Sequence, residues 1–176
     1  PSRLVFGAEL KQVLRYGENP HQEAAVYLSN DVRPGAVRAT KIQGKELSYN
    51  NLNDTDTAFE LVAEFTDRPA CVIVKHANPC GVALAEDLKT AYLRALSCDT
   101  ESAFGGVIAF NRNLDRETAE AVGDLFAEVI IAPGIDESAR PVLEERKNLR
   151  VLVAGRLPEK EDESMALRSV ASGYLL

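Results

Sequence analysis

The chain of 176 residues has a formal net charge of −7, with 45% apolar and 27% charged residues. This is the profile of a soluble globular protein with one sizeable core. The negative balance argues against a nucleic-acid backbone as the main partner but allows a small phosphorylated ligand held by one or two local cations. No apolar run approaches membrane-spanning length, so no membrane partner is expected, and the three cysteines Cys71, Cys80 and Cys98 are too few for a disulfide scaffold and fit a reducing cytoplasm.

Phe6, Leu10, Val13 and Leu14 are spaced as a short helical stripe. The run Leu14 to Gln22 holds Gly17, Asn19 and Pro20 and is predicted to be a loop, with Arg15 able to clamp a phosphate. A polar turn is the plainer reading of the same residues. Ala24 to Leu28 is a strand candidate, 30–41 an exposed loop or hairpin, and 44–51 a polar loop. Asn53 to Asp56 offer capping groups before the stripe Ala58, Leu61, Val62, Phe65.

The stretch Cys71 to Val74 is a buried strand ending in Lys75-His76, and Asn78-Pro79 and Gly81 are expected to break it. Chemistry in open α/β sheets collects beyond the carboxyl ends of the strands. Lys75 and His76 there are a candidate cation and a candidate base, although an ordinary solvated loop entry has the same composition. The spacing then predicts a helix over 85–98, a glycine loop at Phe104-Gly105-Gly106, a strand over 107–110, a helix over 116–127, and a strand over 129–132. A polar helix over 136–147 follows, with Pro141 tolerated near its first turn, then a strand over 149–153 and an exposed charged tail over 156–168. Strands alternating with helices imply βαβ units and a largely parallel sheet. Pro1 is not a natural start, so the true N-terminus is expected to be missing, and Ser172 to Leu176 read as the opening of a further strand, so more of the domain is expected to follow.

Arg15-Tyr16 with Asn19 and His21, Tyr49 with Asn51, Lys75-His76 and Phe104-Gly105 supply a cation, an amphipathic ring, amides, a base and open backbone. Together they suit a phosphorylated heteroaromatic ligand. A zinc site is the rival, because His76 with Pro79-Cys80 echoes a deaminase signature. Asn78 stands where that signature needs Glu, and Ala83 stands where it needs a second Cys.

Five motifs occur in order: Leu14-Arg15-Tyr16-Gly17-Glu18-Asn19-Pro20-His21-Gln22, Ser48-Tyr49-Asn50-Asn51-Leu52-Asn53-Asp54, Val74-Lys75-His76-Ala77-Asn78-Pro79-Cys80-Gly81, Ser102-Ala103-Phe104-Gly105-Gly106 and Ile130-Ile131-Ala132-Pro133. From about Phe6 onward the chain resembles the transformylase region of the bifunctional purine-biosynthesis family, 5-aminoimidazole-4-carboxamide ribonucleotide formyltransferase / IMP cyclohydrolase. The resemblance implies a three-layer α/β/α cytidine-deaminase-like fold with a mixed, largely parallel sheet. Residues 1–176 would be the N-terminal subdomain of the transformylase, with the second subdomain and the cyclohydrolase domain outside them. It implies transfer of a formyl group from 10-formyltetrahydrofolate to the 5-amino group of the imidazole ribonucleotide, with no metal, in a homodimer that shares its active site.

Carried over residue by residue, the resemblance makes His76 and Lys75 the catalytic pair. His76 takes the amine proton, and Lys75 stabilises the oxyanion or protonates the departing folate nitrogen. Arg15 and Tyr16 match ribonucleotide-holding residues, Arg15 on the phosphate. Asn51, Phe104 and Gly105 match the imidazole pocket, and Glu128 matches an acidic substrate contact. His21 and Asn78 are supporting candidates. A ribonucleotide-binding module without catalysis and a zinc deaminase-like hydrolase are the alternatives.

Overall fold

The computed structural model describes residues 2–30, 32–159, 162 and 166–176. Its main sheet has six strands: β3 (Thr40–Gln43), β4 (Ala70–Lys75), β5 (Asn78–Leu84), β6 (Val107–Phe110), β7 (Val129–Ala132) and β8 (Arg150–Val153), in the spatial order β3-β8-β7-β6-β4-β5. The sheet is mixed, as expected, but its parallel part is confined to β6, β7 and β8. The β3–β8, β4–β6 and β4–β5 ladders are antiparallel.

The difference arises at Asn78-Pro79. These residues do not lead from a strand into a helix. They open β5, which folds straight back on β4 through the two-residue turn His76-Ala77. Proline is tolerated because β5 is an edge strand and Pro79 sits at a register shift opposite Val74. Gly81 is needed for a different reason. A Cβ there would lie 1.9 Å from the Ala95 carbonyl oxygen, so only glycine lets the following helix pack this closely.

That helix, α2 (Leu88–Cys98), covers one face of the sheet together with α3 (Arg116–Val122) and α4 (Arg140–Glu144). The long helix α1 (Tyr49–Ala63) covers the other. The strands alternate cleanly between the two layers. Cys71, Ile73, Ile108, Phe110, Ile130 and Val151 face α2, while Val72, Val74, Val107, Ala109, Ile131 and Leu152 face α1. All twelve are buried, which is why these strands read as continuous apolar runs in the sequence.

Several boundaries moved. α1 begins at Ser48, not near Asn53, because Ser48 and Asn51 form a reciprocal capping box. Tyr49 and Asn51 therefore lie in the helix and not in a loop. α3 stops at Gly123 instead of running to 127, and α4 is shorter than 136–147, with Pro141 in its first turn. The stripe expected to be helical before Leu14 is instead β1 (Glu9–Val13), paired antiparallel with β2 (Ala25–Leu28). Its Leu10 and Val13 are 57% and 70% exposed, so no core holds them in a helical register. Ser172 to Leu176 do contain a strand, β10 (Gly173–Leu175), which pairs with β9 (Arg168–Val170). Of the expected charged tail, residues 160, 161 and 163–165 lie outside the described residues, as does Pro1.

Candidate active site

Because β4 runs antiparallel to β6, the carboxyl end of β4 lies beside the amino ends of β6, β7 and β8. Lys75 ends β4, Gly105 and Gly106 precede β6, Glu128 precedes β7, and Arg150 opens β8. One rim of the sheet thus gathers residues from four separate stretches of sequence. For the three parallel strands it is the amino-terminal rim, not the carboxyl one the sequence reading pointed to.

The turn His76-Ala77 has φ of 55° at both residues, the left-handed pair that a two-residue type I′ hairpin loop requires. Asn and Gly usually occupy such positions; His and Ala there cost on the order of 1 kcal/mol each. Asp54, in the second turn of α1, meets the turn with its carboxylate. Oδ2 accepts from the His76 amide at 3.2 Å and Oδ1 from the Ala77 amide at 2.7 Å. The Asn78 side-chain amide donates to the His76 carbonyl at 2.8 Å. The His76 side chain is exposed and opens, with Lys75, Asn78, Pro79, Cys80, Asp99 and Ser102, onto a cleft of about 360 Å³.

Lys75 Nζ donates to the Phe104 carbonyl at 2.8 Å, which ties the catalytic candidates to the glycine loop. Gly105 has φ +75°, and a Cβ on Gly106 would lie 2.9 Å from the Val74 carbonyl, so both glycines are required by the backbone path. The Gly105 amide donates to the Phe126 carbonyl at 2.7 Å. Phe104 and Phe126, 59% and 50% exposed, stand 5.2 Å apart between ring centroids. Exposed rings side by side offer a surface for a planar ligand.

Asp99 is the carboxylate that lines this cleft. Hydrogen bonds from the Ser102 hydroxyl and amide hold its carboxyl below the usual carboxylate range, and the Lys75 ammonium adds to the effect. Partial burial and the Asp99 charge push the Cys80 thiol up, which disfavours its thiolate.

Arg15 lines a second cleft, of about 530 Å³, with Tyr16, Lys45, Glu46, Ser48 and Arg150 among its walls. The Arg15 guanidinium stands 5.9 Å from the Tyr16 ring centroid. Arg15 and the Lys75-His76 pair do not line one continuous cleft. They are joined by α1: Ser48 caps the helix at the Arg15 cleft, and Asp54 grips the His76 turn. Six residues of helix rise separate them, about 9 Å. Between them sits Asn51. Its carbonyl accepts from the Ser48 amide at 3.1 Å and its amide donates to Glu128 at 2.6 Å. Glu128 also faces Arg150 Nη1 at 3.9 Å. Asn51, Glu128, Phe104 and Gly105 therefore do come together on this rim, whereas His21 is exposed in its loop and lines neither cleft.

Sequence reasoning missed Asp54, Phe126, Lys45 and Arg150. Arg150 opens a strand directly after Leu149, and a cation at the mouth of a buried strand was a readable signal. Phe126 had none, because its partner Phe104 is 22 residues away in another loop. Among the described residues, no group of three or more His, Cys, Asp or Glu is placed to hold a metal ion, and no helix is long and apolar enough to cross a membrane.

A family model described as the AICARFT/IMPCHase bienzyme matches residues 1–176. The bifunctional purine biosynthesis protein PurH of Roseobacter denitrificans is 56% identical over 178 residues, covering 100% of this chain and 34% of that protein. PurH of Sinorhizobium fredii is 54% identical, covering 100% and 33%. The chain thus spans about a third of the length of these relatives. Among solved structures, Acinetobacter baumannii RibD aligns over 58% of this chain and 35% of its own at 17% identity and a TM-score of 0.45. A dCMP deaminase from cyanophage S-TIM5 aligns over 53% and 90% at 7% identity and a TM-score of 0.41. With a match running the length of the sequence, the chain belongs to the AICARFT/IMPCHase bienzyme family.

Proposed function

We propose that residues 1–176 form the first subdomain of a transformylase. It moves a formyl group from 10-formyltetrahydrofolate to the 5-amino group of 5-aminoimidazole-4-carboxamide ribonucleotide, in de novo purine synthesis. The observation that carries this is the pairing of two sites by the first turns of α1: Ser48 at its start lines the cationic cleft of Arg15, and Asp54, about 9 Å further along the helix, holds the turn that bears His76 beside Lys75. A ribonucleotide has the matching polarity, a phosphate at one end and an amine-bearing ring at the other.

The phosphate belongs to Arg15, with Lys45 and Arg150 in the same walls. The imidazole ring lies near Phe104, Gly105 and Glu128, whose carboxylate accepts from ring substituents. The amine is a weak nucleophile, because its lone pair is delocalised into the ring and carboxamide. As its nitrogen bonds to the formyl carbon, His76 takes up the proton. Lys75 Nζ spends one donor on Phe104 and has further protons for the oxyanion of the tetrahedral intermediate. Collapse of that intermediate breaks the bond from carbon to the folate nitrogen, which leaves as an amine after receiving a proton from Lys75, and the proton taken up by His76 restores the ammonium. Tyr16 orients Arg15, and Asn78 holds the turn behind His76. His21 belongs to the outer loop.

The folate pocket draws on residues beyond these 176, and the complete enzyme is a homodimer of the cytoplasm, a setting that the three free thiols fit. The test is His76→Ala in the full-length enzyme. Turnover should fall by about a thousandfold or more while ribonucleotide affinity measured by calorimetry changes little. Near-normal turnover would end this reading, and retained binding with no formyl transfer in the parent enzyme would favour a binding module instead.

A further inference from the structure

We propose that Asp54 is a positioning residue that aims His76 at the amine. The inference rests on the formyl-transfer reading and adds to it the group that fixes the base. His76 occupies the first of two consecutive left-handed positions, at φ 55°, followed by Ala77 at the same φ. A hairpin of this sequence has an intrinsic preference for other turns, because neither residue is a glycine or an asparagine. The conformation persists because one carboxylate engages both turn amides, at 3.2 and 2.7 Å. A single acceptor for two adjacent amides fixes the orientation of the peptide units on both sides of the His76 Cα.

The remaining backbone freedom of His76 is removed by Asn78, whose amide donates to the His76 carbonyl at 2.8 Å. Asp54 itself stands on α1, whose Thr55, Ala58 and Phe59 are buried against the sheet. The chain of support therefore runs from the core, through α1, to the turn amides. It ends at an imidazole with only its side-chain torsions free. A base held in a near-attack geometry is worth far more than one that must find it. Asp54 touches no reacting atom and acts only through the backbone of His76.

The experiment compares Asp54→Ala, Asp54→Asn and the double variant Asp54→Ala with Ala77→Gly, each in the full-length enzyme and assayed well below its Tm. Asp54→Ala should lower kcat by about tenfold or more with the ribonucleotide KM within about twofold, because binding groups are untouched. Asp54→Asn keeps one acceptor and should fall between the parent and Asp54→Ala. Ala77→Gly adapts the second turn position to its left-handed φ and should return about threefold of the lost kcat. Amide hydrogen exchange supplies a readout besides activity: protection at His76 and Ala77 should be lost in Asp54→Ala and largely kept in Asp54→Asn.

A residue that served only overall stability would lower Tm and leave kcat of the folded enzyme unchanged. Parent-like kcat in Asp54→Ala, or a kcat loss that Ala77→Gly does not ease, overturns the proposal. His76→Ala separates the two readings. If it abolishes turnover while Asp54→Ala does not reduce kcat, the positioning role alone fails. If His76→Ala retains turnover, the formyl-transfer reading fails first.

Discussion

The rim at the amino ends of β6, β7 and β8 holds Lys75, Gly105, Glu128 and Arg150, whereas the rim at their carboxyl ends holds Asn111, Arg112, Asn113 and Pro133. The second rim borders the larger cleft, about 1140 Å³ against about 530 and 360 Å³ on the first. It is also where doubly wound sheets place their ligands. Two of its polar side chains, however, are engaged in the architecture. The buried Asn111 accepts from the Ala70 amide at 2.7 Å and donates to the Phe65 and Arg68 carbonyls at 2.5 and 2.8 Å. Arg112 donates to the Asn111 and Thr66 carbonyls. On the first rim, His76 is exposed and Arg15 stands open beside a ring. Cleft size and the availability of polar side chains therefore rank these rims differently. The useful contrast is between polar groups that complete the backbone and polar groups that are held by it but face outward.

The contrast is broken most directly by moving charge off the first rim. Lys75→Ala in the full-length enzyme should cost about 100- to 1000-fold in kcat, the usual loss for a donor at a developing oxyanion. Urea unfolding should shift little, because the ammonium is only partly buried and its one bond is to a loop carbonyl. The mirror experiment is Asn111→Ala. It leaves one buried amide and two carbonyls unpaired and should cost about 3 kcal/mol in urea unfolding. The folded fraction should keep its kcat. An Asn111→Ala variant that folds normally but loses turnover would move the site to the other rim.

Much of this architecture was legible in the sequence because burial on both faces writes a plain signal. Val107 to Phe110 and Val129 to Ala132 are apolar at every position, and both strands are where that pattern puts them. Lys75, Phe104, Gly105 and Asn51 were singled out from motifs and Glu128 from the family resemblance alone, and they lie on one rim. What stayed hidden depended on tertiary context. Phe6, Leu10, Val13 and Leu14 fit a helical period, yet pairing with β2 outside the core makes a strand. Asn78-Pro79 read as a break because proline removes a ladder donor, and that argument is void at a sheet edge with a register shift. The capping groups were sought at Asn53 to Asp56, whereas Ser48 caps the helix and Asn51, in place of the usual Glu or Gln, closes the reciprocal pair. Asp54 looked like capping chemistry. Its actual partners are amides 22 and 23 residues away, which no local pattern reports.

Within the first rim, the two clefts should respond differently. Arg15 sits on a loop whose own bonds, Gly17 to Gln22 and Gln22 to Asn19, do not involve its side chain. Arg15→Ala should raise the ribonucleotide KM by about 10- to 100-fold, the worth of a charge-assisted phosphate contact, with kcat and Tm little changed. The same substitution should be nearly silent toward a nucleoside lacking the phosphate. An equal loss with both ligands would place Arg15 away from the phosphate.

The smallest effect belongs to the layer that supports the rigid rim. Tyr92 on α2 is fully buried and its hydroxyl has no partner among the described residues. Burial pushes its phenol up from 10 to about 12, and the nearby Cys71 thiol adds to this. Between those values the unfolded chain loses a proton that the folded chain keeps. Stability present below pH 10 therefore falls as pH rises toward 12, by on the order of 2 kcal/mol. Tyr92→Phe removes the ionisation and leaves the packing. It should flatten the fall in urea midpoint between pH 10 and 11.5 while changing stability at pH 7 by less than about 1 kcal/mol, since no hydrogen bond is lost. A phenylalanine variant with the same alkaline slope as the parent would show that Tyr92 is solvated in the folded state, and that α2 does not seal the layer behind β4 and β5.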